Sequence, residues 1–412
     1  MTDQPPTQGD ASATTVAPVL LTEPREGVPE TIETAAALAR AVEAVAAGTG
    51  PVAIDAERAS GYRYSARAYL IQLRREGTGT ILIDPLPFAD LRTLGAAING
   101  AEWILHAASQ DLPCLAELDL RPQTLFDTEL GARLAGFERV GLAAITERLL
   151  GYSLEKHHSA ADWSTRPLPD SWLTYAALDV ELLIDLRDSL AAELTAQGKA
   201  EWAAEEFQAL THAPAPAARN DPWRRTSGIH KVRGARALAR VRSMWHARDE
   251  LASRRDLAPS KIVPDAAIVA AAQADPKAER ELVGLAGFRG RFGRSHARYW
   301  LRALTKAREL PDSELPRTSP SHDGPPPAHR WSERDPVAAA RLARARAVVT
   351  EVAAEHNLPT ENLMAPATVR ALCWTPPAEA GDALVAEFLR GQGAREWQIG
   401  LLAAQLTEAL QD

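Results

Sequence analysis

The chain has 412 residues, of which 46% are hydrophobic and 24% charged, and its formal net charge is −8 at pH 7. This length suits two or three globular domains, and no apolar run approaches the roughly 20 residues that a membrane-spanning helix needs. The two cysteines, Cys114 and Cys373, are too far apart in sequence for a C-x-x-C pair, which excludes a cysteine zinc site and a disulfide framework. We therefore expect no membrane contact and a cytoplasmic location.

The first domain is predicted to be α/β. Residues 1–20 are polar and lack the basic cluster and apolar core of a secretory signal, so we expect a disordered leader there. Residues 21–212 follow with short apolar stretches separated by helical patterns. The predicted strands are Pro51–Ile54, Ala68–Leu73, Thr80–Ile83 and Trp103–Leu105. The last helix is predicted to run from about Ser171 to about Leu194.

Two helical domains are predicted after this α/β domain. Residues 213–218 form an Ala/Pro linker, and the first helical domain covers residues 219–310. A proline-rich linker at 311–334 precedes the second helical domain at 335–412. The string Leu238–Arg242 recurs in similar form as Leu342–Arg346, which indicates that the two helical domains arose by duplication.

The charges are segregated along the chain. Residues 219–308 carry 21 Lys and Arg against 8 Asp and Glu, a surplus of 13 positive charges on an acidic protein. Residues 335–412 carry 6 basic against 10 acidic side chains. The first helical domain is therefore predicted to offer a polyanion-binding surface, with a solvated arginine-rich helix face as the alternative.

Three short motifs carry acidic side chains. Asp55 and Glu57 end an apolar strand, and the spacing of two residues places both carboxylates on one face. Asp111 follows a strand that ends near His106, where it could equally cap a helix. Tyr175 and Asp179 share one helix face through their spacing of four. Each motif alone is weak, but acids that converge on one point would repel each other unless a cation lay between them.

In this order and at these separations, the motifs resemble those of the DEDD exonuclease superfamily in its tyrosine-bearing branch. Further strings resemble the ribonuclease D subgroup, namely Phe126-Asp127-Thr128 and Lys156–Leu168. That subgroup carries tandem helicase-and-RNase-D C-terminal (HRDC) domains, and the stretch Leu257–Asp265 resembles the first of them. The resemblance covers residues 51–410. It implies a ribonuclease H-like exonuclease domain followed by two all-α HRDC-like domains.

The resemblance also implies a mechanism and a substrate. Two divalent metal ions, Mg²⁺ or Mn²⁺, are expected to be held by Asp55, Glu57, Asp111 and Asp179, with Tyr175 orienting the attacking water. The implied activity is a 3′–5′ exoribonuclease that releases 5′-mononucleotides from single-stranded RNA 3′ ends, in the 3′ processing of RNAs such as tRNA precursors or in RNA decay. Nothing in the sequence demands more than a monomer.

Six further residues are predicted to bind the substrate. Lys156 is expected to contact a phosphate, and Trp163 and Arg166 either stack on a base or pack their own loop. In the Gly/Arg/Phe-rich stretch of the first helical domain, Arg289, Arg291 and Arg294 are expected to face the RNA while the phenylalanines pack inside. Two alternatives stay open at this point: a DNA-directed exonuclease of the same superfamily, and a non-catalytic RNA-binding protein on a nuclease scaffold.

Overall fold

The computed structural model describes residues 17–154, 160–214, 219–319, 324–378 and 381–411. The first domain contains eight strands: β1 (Val19–Leu21), β2 (Thr31–Ile32), β3 (Thr49–Arg58), β4 (Ala68–Glu76), β5 (Gly79–Ile83), β6 (Glu102–Leu105), β7 (Thr124–Asp127) and β8 (Tyr152–Leu154). Six of them form a mixed sheet in the order β2-β5-β4-β3-β6-β7, and β1 pairs with β8. The α/β prediction is confirmed, and the four predicted strands lie within β3, β4, β5 and β6.

The sheet order places three chain segments at one edge. β3, β6 and β7 are parallel, so their carboxyl ends lie side by side. β4 is antiparallel to β3, with Gln72 opposite Asp55 and Leu70 opposite Glu57. Residues that follow the ends of β3 and β6 therefore meet, although more than 40 residues separate them in sequence.

Helices cover both faces of this sheet. They are α1 (Ala35–Ala47), α2 (Arg92–Ile98), α3 (Leu112–Ala116), α4 (Thr128–Leu134), α5 (Leu142–Leu150), α6 (Asp170–Glu181), α7 (Leu183–Ala196) and α8 (Ala200–Thr211). The single helix predicted from Ser171 to Leu194 is wrong, because the chain leaves helical geometry at Leu182 (φ −111°, ψ 4°). Both halves bury apolar side chains, so periodicity alone does not reveal the break.

The remaining described helices form two all-α domains. The first contains α9 (Ala235–Arg255), α10 (Pro259–Ile262), α11 (Asp265–Ala274), α12 (Glu279–Gly284), α13 (Arg291–Ser295) and α14 (Ala297–Glu309). The second contains α15 (Trp331–Arg334), α16 (Pro336–Glu355), α17 (Thr360–Leu363), α18 (Pro366–Trp374), α19 (Asp382–Gly391) and α20 (Glu396–Leu410). Asp256 and Asn357 both take a left-handed conformation after α9 and α16, as Asp275 does after α11, and the duplication stays a prediction.

The second helical domain shares a hydrophobic core with the first domain. Leu190 and Phe207 belong to the same buried cluster as Leu342, Leu402 and Leu406. Trp331 is fully buried against Trp374 at a ring distance of 4.8 Å, although it lies in the stretch predicted as linker. The packed part of this domain therefore starts before Asp335.

The first helical domain contacts the segment between β3 and β4. The backbone N–H of Ala258 donates to the carbonyl of Tyr62 at 3.0 Å, and the N–H of Ser65 donates to the carboxylate of Asp256 at 2.9 Å. This segment follows the carboxyl end of β3, so the basic domain lies beside the edge of the sheet that carries the acids. Within the described residues, no helix is both long and apolar enough to cross a membrane.

Candidate active site

Three carboxylates converge above the sheet. Asp55 and Glu57 point to the same side of β3 because strand residues two apart share a face. α6 packs across β3, β4 and β5 and brings Asp179 to them, with Ala176, Ala177 and Val180 buried beneath. Single oxygen atoms of the three carboxylates all lie within 4.8 Å of one another. Sequence motifs 122 residues apart thus form one cluster that could hold a metal ion.

Asp111 approaches the cluster from the end of β6. It stands at the start of α3 but makes no capping hydrogen bond with its side chain, so the capping role is not the one it takes. Its carboxylate is buried and lies 3.3 Å from the guanidinium of Arg58, between Oδ1 and Nη2. The predicted acid therefore lies at the predicted edge, and its direct charged partner is an arginine.

Asp127 holds the turn that carries Asp111. Its two carboxylate oxygens accept the backbone N–H groups of Ala107 and Ala108 at 3.1 and 2.8 Å, and one of them also caps α4. Ala107 takes a left-handed conformation (φ 63°), so the turn benefits from these bonds. His106 pairs through Nδ1 with the hydroxyl of Thr128 at 2.9 Å. Asp127 and His106 therefore both stabilise the end of β6.

The buried carboxylates of the cluster repel one another. Burial, followed by repulsion from Asp55, Asp179 and Asp111, raises the pKa of Glu57 to about 10. Burial and the charge of Asp55 raise the pKa of Asp111 to about 8. The pKa of Asp179 is raised by burial and by Asp55. Four ionised carboxylates are therefore stable here only with added positive charge, which fits a site for divalent cations.

Tyr175 lies one helical turn before Asp179 and hydrogen-bonds to its carboxylate. Burial, followed by the charges of Asp179, Glu57 and Asp55, raises the pKa of the phenol above its ordinary value of 10. The hydroxyl therefore stays protonated near neutral pH and serves as a hydrogen-bond donor and acceptor at the edge of the cluster.

Two of the predicted substrate contacts are structural. Trp163 has no exposed surface and packs between Trp172 and Tyr175, so it cannot stack on a base in this arrangement. Arg166 bonds the carboxylate of Asp84 at 2.6 Å and, through its other nitrogens, three backbone carbonyls. Four of its five N–H groups are thereby used within the domain. Lys156 lies outside the described residues.

In the Gly/Arg/Phe-rich stretch, the phenylalanines pack inside and the arginines face solvent, as predicted. Phe288 is fully buried and Phe292 packs against the same core. Arg289, Arg291 and Arg294 are exposed.

The sequence did not predict a groove of about 820 Å³ between α9 and α14. Its lining includes Arg242, His246, Tyr299, Arg302 and Lys306. The spacing of these residues along α9 and α14 was the only sequence feature that could have predicted the groove. Which faces of the two helices lie opposite each other is decided by packing.

Comparison with known proteins agrees with this architecture. The family described as 3'-5' exonuclease matches residues 29–195, the HRDC domain matches 237–304, and the 3' to 5' exonuclease C-terminal domain matches 324–410. The last of these differs from the HRDC family that we expected to cover both helical domains by resemblance. Together with the acid cluster at the sheet edge, these matches define a ribonuclease H-like 3′–5′ exonuclease with helical C-terminal domains.

Similarity to individual proteins identifies the family within this class of exonucleases. Ribonuclease D of Acidiphilium cryptum is 32% identical over 311 residues, which cover 72% of this chain and 77% of the relative. Escherichia coli ribonuclease D is 32% identical over 293 residues, covering 69% and 76%. The chain belongs to the ribonuclease D family, and it is a 3′–5′ exoribonuclease.

Solved structures support the assignment over the whole chain. The crystal structure of Escherichia coli RNase D, described as an exoribonuclease involved in structured RNA processing, covers 92% of this chain and 98% of its own, at 28% identity and a TM-score of 0.67. A protein from Bifidobacterium adolescentis covers 95% and 99% at 40% identity and a TM-score of 0.87. All three domains are therefore shared.

Proposed function

We propose that this enzyme removes 5′-mononucleotides from the 3′ ends of single-stranded RNA by hydrolysis with two divalent cations, Mg²⁺ or Mn²⁺. The observation that carries this proposal is the convergence of Asp55, Glu57 and Asp179 within 4.8 Å, with Asp111 beside them. We assign it to the 3′ processing of structured RNAs, tRNA precursors among them, or to RNA decay. The similarity to an exoribonuclease involved in structured RNA processing supports that assignment.

The residues present fit the proposed cations. Asp55, Glu57 and Asp179 would hold one ion, and Asp111 together with Asp55 would hold the second. Carboxylates are the ligands that Mg²⁺ prefers, and the raised pKa values of Glu57 and Asp111 support a site that favours added positive charge. When bound, the cations would lower the pKa of the attacking water and stabilise negative charge on the leaving 3′ oxygen.

Side chains beside the carboxylates are proposed to orient the attacking water. The Tyr175 hydroxyl, which hydrogen-bonds to Asp179, is placed to orient a water molecule next to the carboxylates. Its raised pKa argues against a role as general base and in favour of positioning. Trp163 and Arg166 act indirectly, because they pack and fasten the loop that precedes α6.

The first helical domain supplies a binding surface next to the cluster. Its surplus of 13 positive charges suits an RNA backbone, and its contacts with Tyr62 and Ser65 hold it at the edge of the sheet that carries the acids. Arg289, Arg291 and Arg294 are exposed and are our proposed phosphate contacts. The chain is proposed to act as a monomer in the cytoplasm.

The decisive experiment uses 5′-labelled single-stranded RNA and a DNA of matched sequence, each with Mg²⁺, with Mn²⁺ and with chelator. A ladder that shortens from the 3′ end of RNA in the presence of metal supports the proposal. Equal degradation of DNA would instead identify a general exonuclease of this superfamily. Persistence of the ladder in excess chelator would contradict the metal-dependent mechanism.

A further inference from the structure

Arg58 is a cation built into the acid cluster. It directly follows Glu57 on β3, where regular alternation would point its side chain away from the acids. A register shift between β3 and β4 falls between Glu57 and Arg58, so the alternation is interrupted at this position. The guanidinium reaches Asp111 at 3.3 Å, and its charge also acts on Asp55 and Glu57.

The carboxylate of Asp111 is paired with Arg58 and stands apart from the group of three. Its side chain makes no capping bond to α3, and it is not one of the three carboxylates whose oxygens lie within 4.8 Å. The carboxylate is only 6% exposed, while the arginine side chain is 27% exposed. The acidic partner is thus buried, while the arginine side chain is partly open to solvent.

We infer that Arg58 competes with a divalent cation for the carboxylate of Asp111 and so weakens binding of the second cation. The inference rests on the proposed metal site. The guanidinium and a divalent cation at the same buried carboxylate would repel each other, so Arg58 opposes a cation there. Arg58 is thus a positioning residue that holds Asp111 in place and weakens the affinity of the second cation. A purely structural ion pair would instead help to build the site, and its loss would weaken cation binding.

The test is a titration of the metal-free full chain with Mn²⁺. Calorimetry measures the heat of binding, and the electron paramagnetic resonance signal measures the concentration of free Mn²⁺. Arg58→Met is expected to bind the weaker ion at least roughly tenfold more tightly, since a like charge a few ångströms away is removed. Arg58→Lys keeps the charge and should stay close to the wild type. Arg67→Met changes the net charge equally from the segment that joins β3 to β4 and serves as control; its guanidinium lies over the Tyr69 ring.

Two further measurements distinguish competition at Asp111 from a general change in the structure of the site. In an Asp111→Asn background, Arg58→Met should lose its effect on affinity, as expected when two residues act through one contact. The rise in melting temperature on adding Mn²⁺ should be larger for Arg58→Met than for the wild type, because tighter binding stabilises the folded state more. Arg58→Gln provides a second neutral variant if Arg58→Met does not fold.

The outcomes are distinguishable. Unchanged or weaker Mn²⁺ binding in the neutral Arg58 variants, while the wild type binds two ions, overturns the competition and leaves the proposed function intact. Absence of Mn²⁺ binding to the wild type overturns the proposed two-metal function itself, and the competition with it.

Discussion

Trp202 of the first domain stacks on Trp397 of the second helical domain with ring centroids 4.9 Å apart and planes 13° from parallel. The indole N–H of Trp397 donates to Glu206 at 3.2 Å, and the Lys199 ammonium donates to carbonyls of Leu134 and Asn357. These contacts continue the core shared by the two domains. The two domains are therefore expected to unfold together.

Trp397→Ala should lower the free energy of unfolding by about 3–5 kcal/mol, the usual cost of removing a buried tryptophan from a core. Urea unfolding followed by circular dichroism and by fluorescence should show one coincident transition at lower urea. Leu384→Ala, at a side chain that is 42% exposed in the same domain, is the control and should change little. Two separate transitions in the wild type would contradict the shared core. Truncation near Pro325 is expected to destabilise the nuclease domain for the same reason.

Asp55→Asn and Asp179→Asn are each expected to abolish turnover while RNA affinity and fold are kept. Each change removes a proposed metal ligand and relieves repulsion among buried carboxylates. Turnover is measured at saturating metal with labelled RNA, and Asp188→Asn, an exposed carboxylate paired with Arg187, is the control. Retention of more than about a tenth of the wild-type rate, a loss of under 1.4 kcal/mol in transition-state stabilisation, would argue against the metal assignment.

Tyr175→Phe should slow the chemical step by ~10²-fold, the scale of an orienting or proton-transferring group. The ring still packs near Trp163, so the melting temperature should hardly change. Single-turnover rates on a short RNA measure the effect. Tyr152→Phe removes a hydroxyl elsewhere in the domain and should leave the rate unchanged. Equal single-turnover rates for Tyr175→Phe and the wild type would make Tyr175 a structural residue.

The contribution of His106 to stability should fall as the pH is lowered from about 6.5 to about 4, while the buried carboxylates of Glu57 and Asp111, whose pKa values are raised, act in the opposite direction. Burial lowers the pKa of His106 from 6.5 to about 4, so in this window the unfolded chain binds a proton that the folded protein does not. The loss attributable to His106 is at most about 3.4 kcal/mol. The melting temperature of His106→Asn relative to the wild type should therefore rise as the pH falls through this range. His329→Asn, at an exposed histidine, is the control. An identical pH dependence in His106→Asn would rule out this linkage.

Reversal of Arg289, Arg291 and Arg294 to Glu should weaken RNA binding and make its dependence on salt shallower. Each phosphate contact of a single strand contributes about −0.7 to the log–log slope, so loss of three contacts should change the slope by about 2. Cleavage of a saturating short substrate should be spared. Affinity is measured by fluorescence anisotropy from low to high salt.

The matched control reverses three exposed arginines of the acidic second helical domain, Arg330, Arg334 and Arg346. It changes the net charge by the same amount and should leave the slope close to the wild-type value. If both triple variants flatten the slope equally, the effect comes from net charge and the basic stretch is not a specific contact.

The sequence by itself determined which residues could do chemistry and the elements that carry them. Asp55 and Glu57 share a face because strand residues alternate, and Tyr175 and Asp179 share one because they are a helical turn apart. These are local geometric rules, so no distant contact is needed to apply them. The order and separations of these motifs carried the resemblance to ribonuclease D, which in turn implied that the helical domains are HRDC-like.

The tertiary structure decided what distant segments do to one another. The partner of Asp111, the burial of Trp163 and the bonds of Arg166 all depend on strand order and loop packing. The break at Leu182 and the core shared with the second helical domain escape periodicity for the same reason. An apolar stripe shows that a face is buried, but the surface that covers it is chosen only when the whole chain packs.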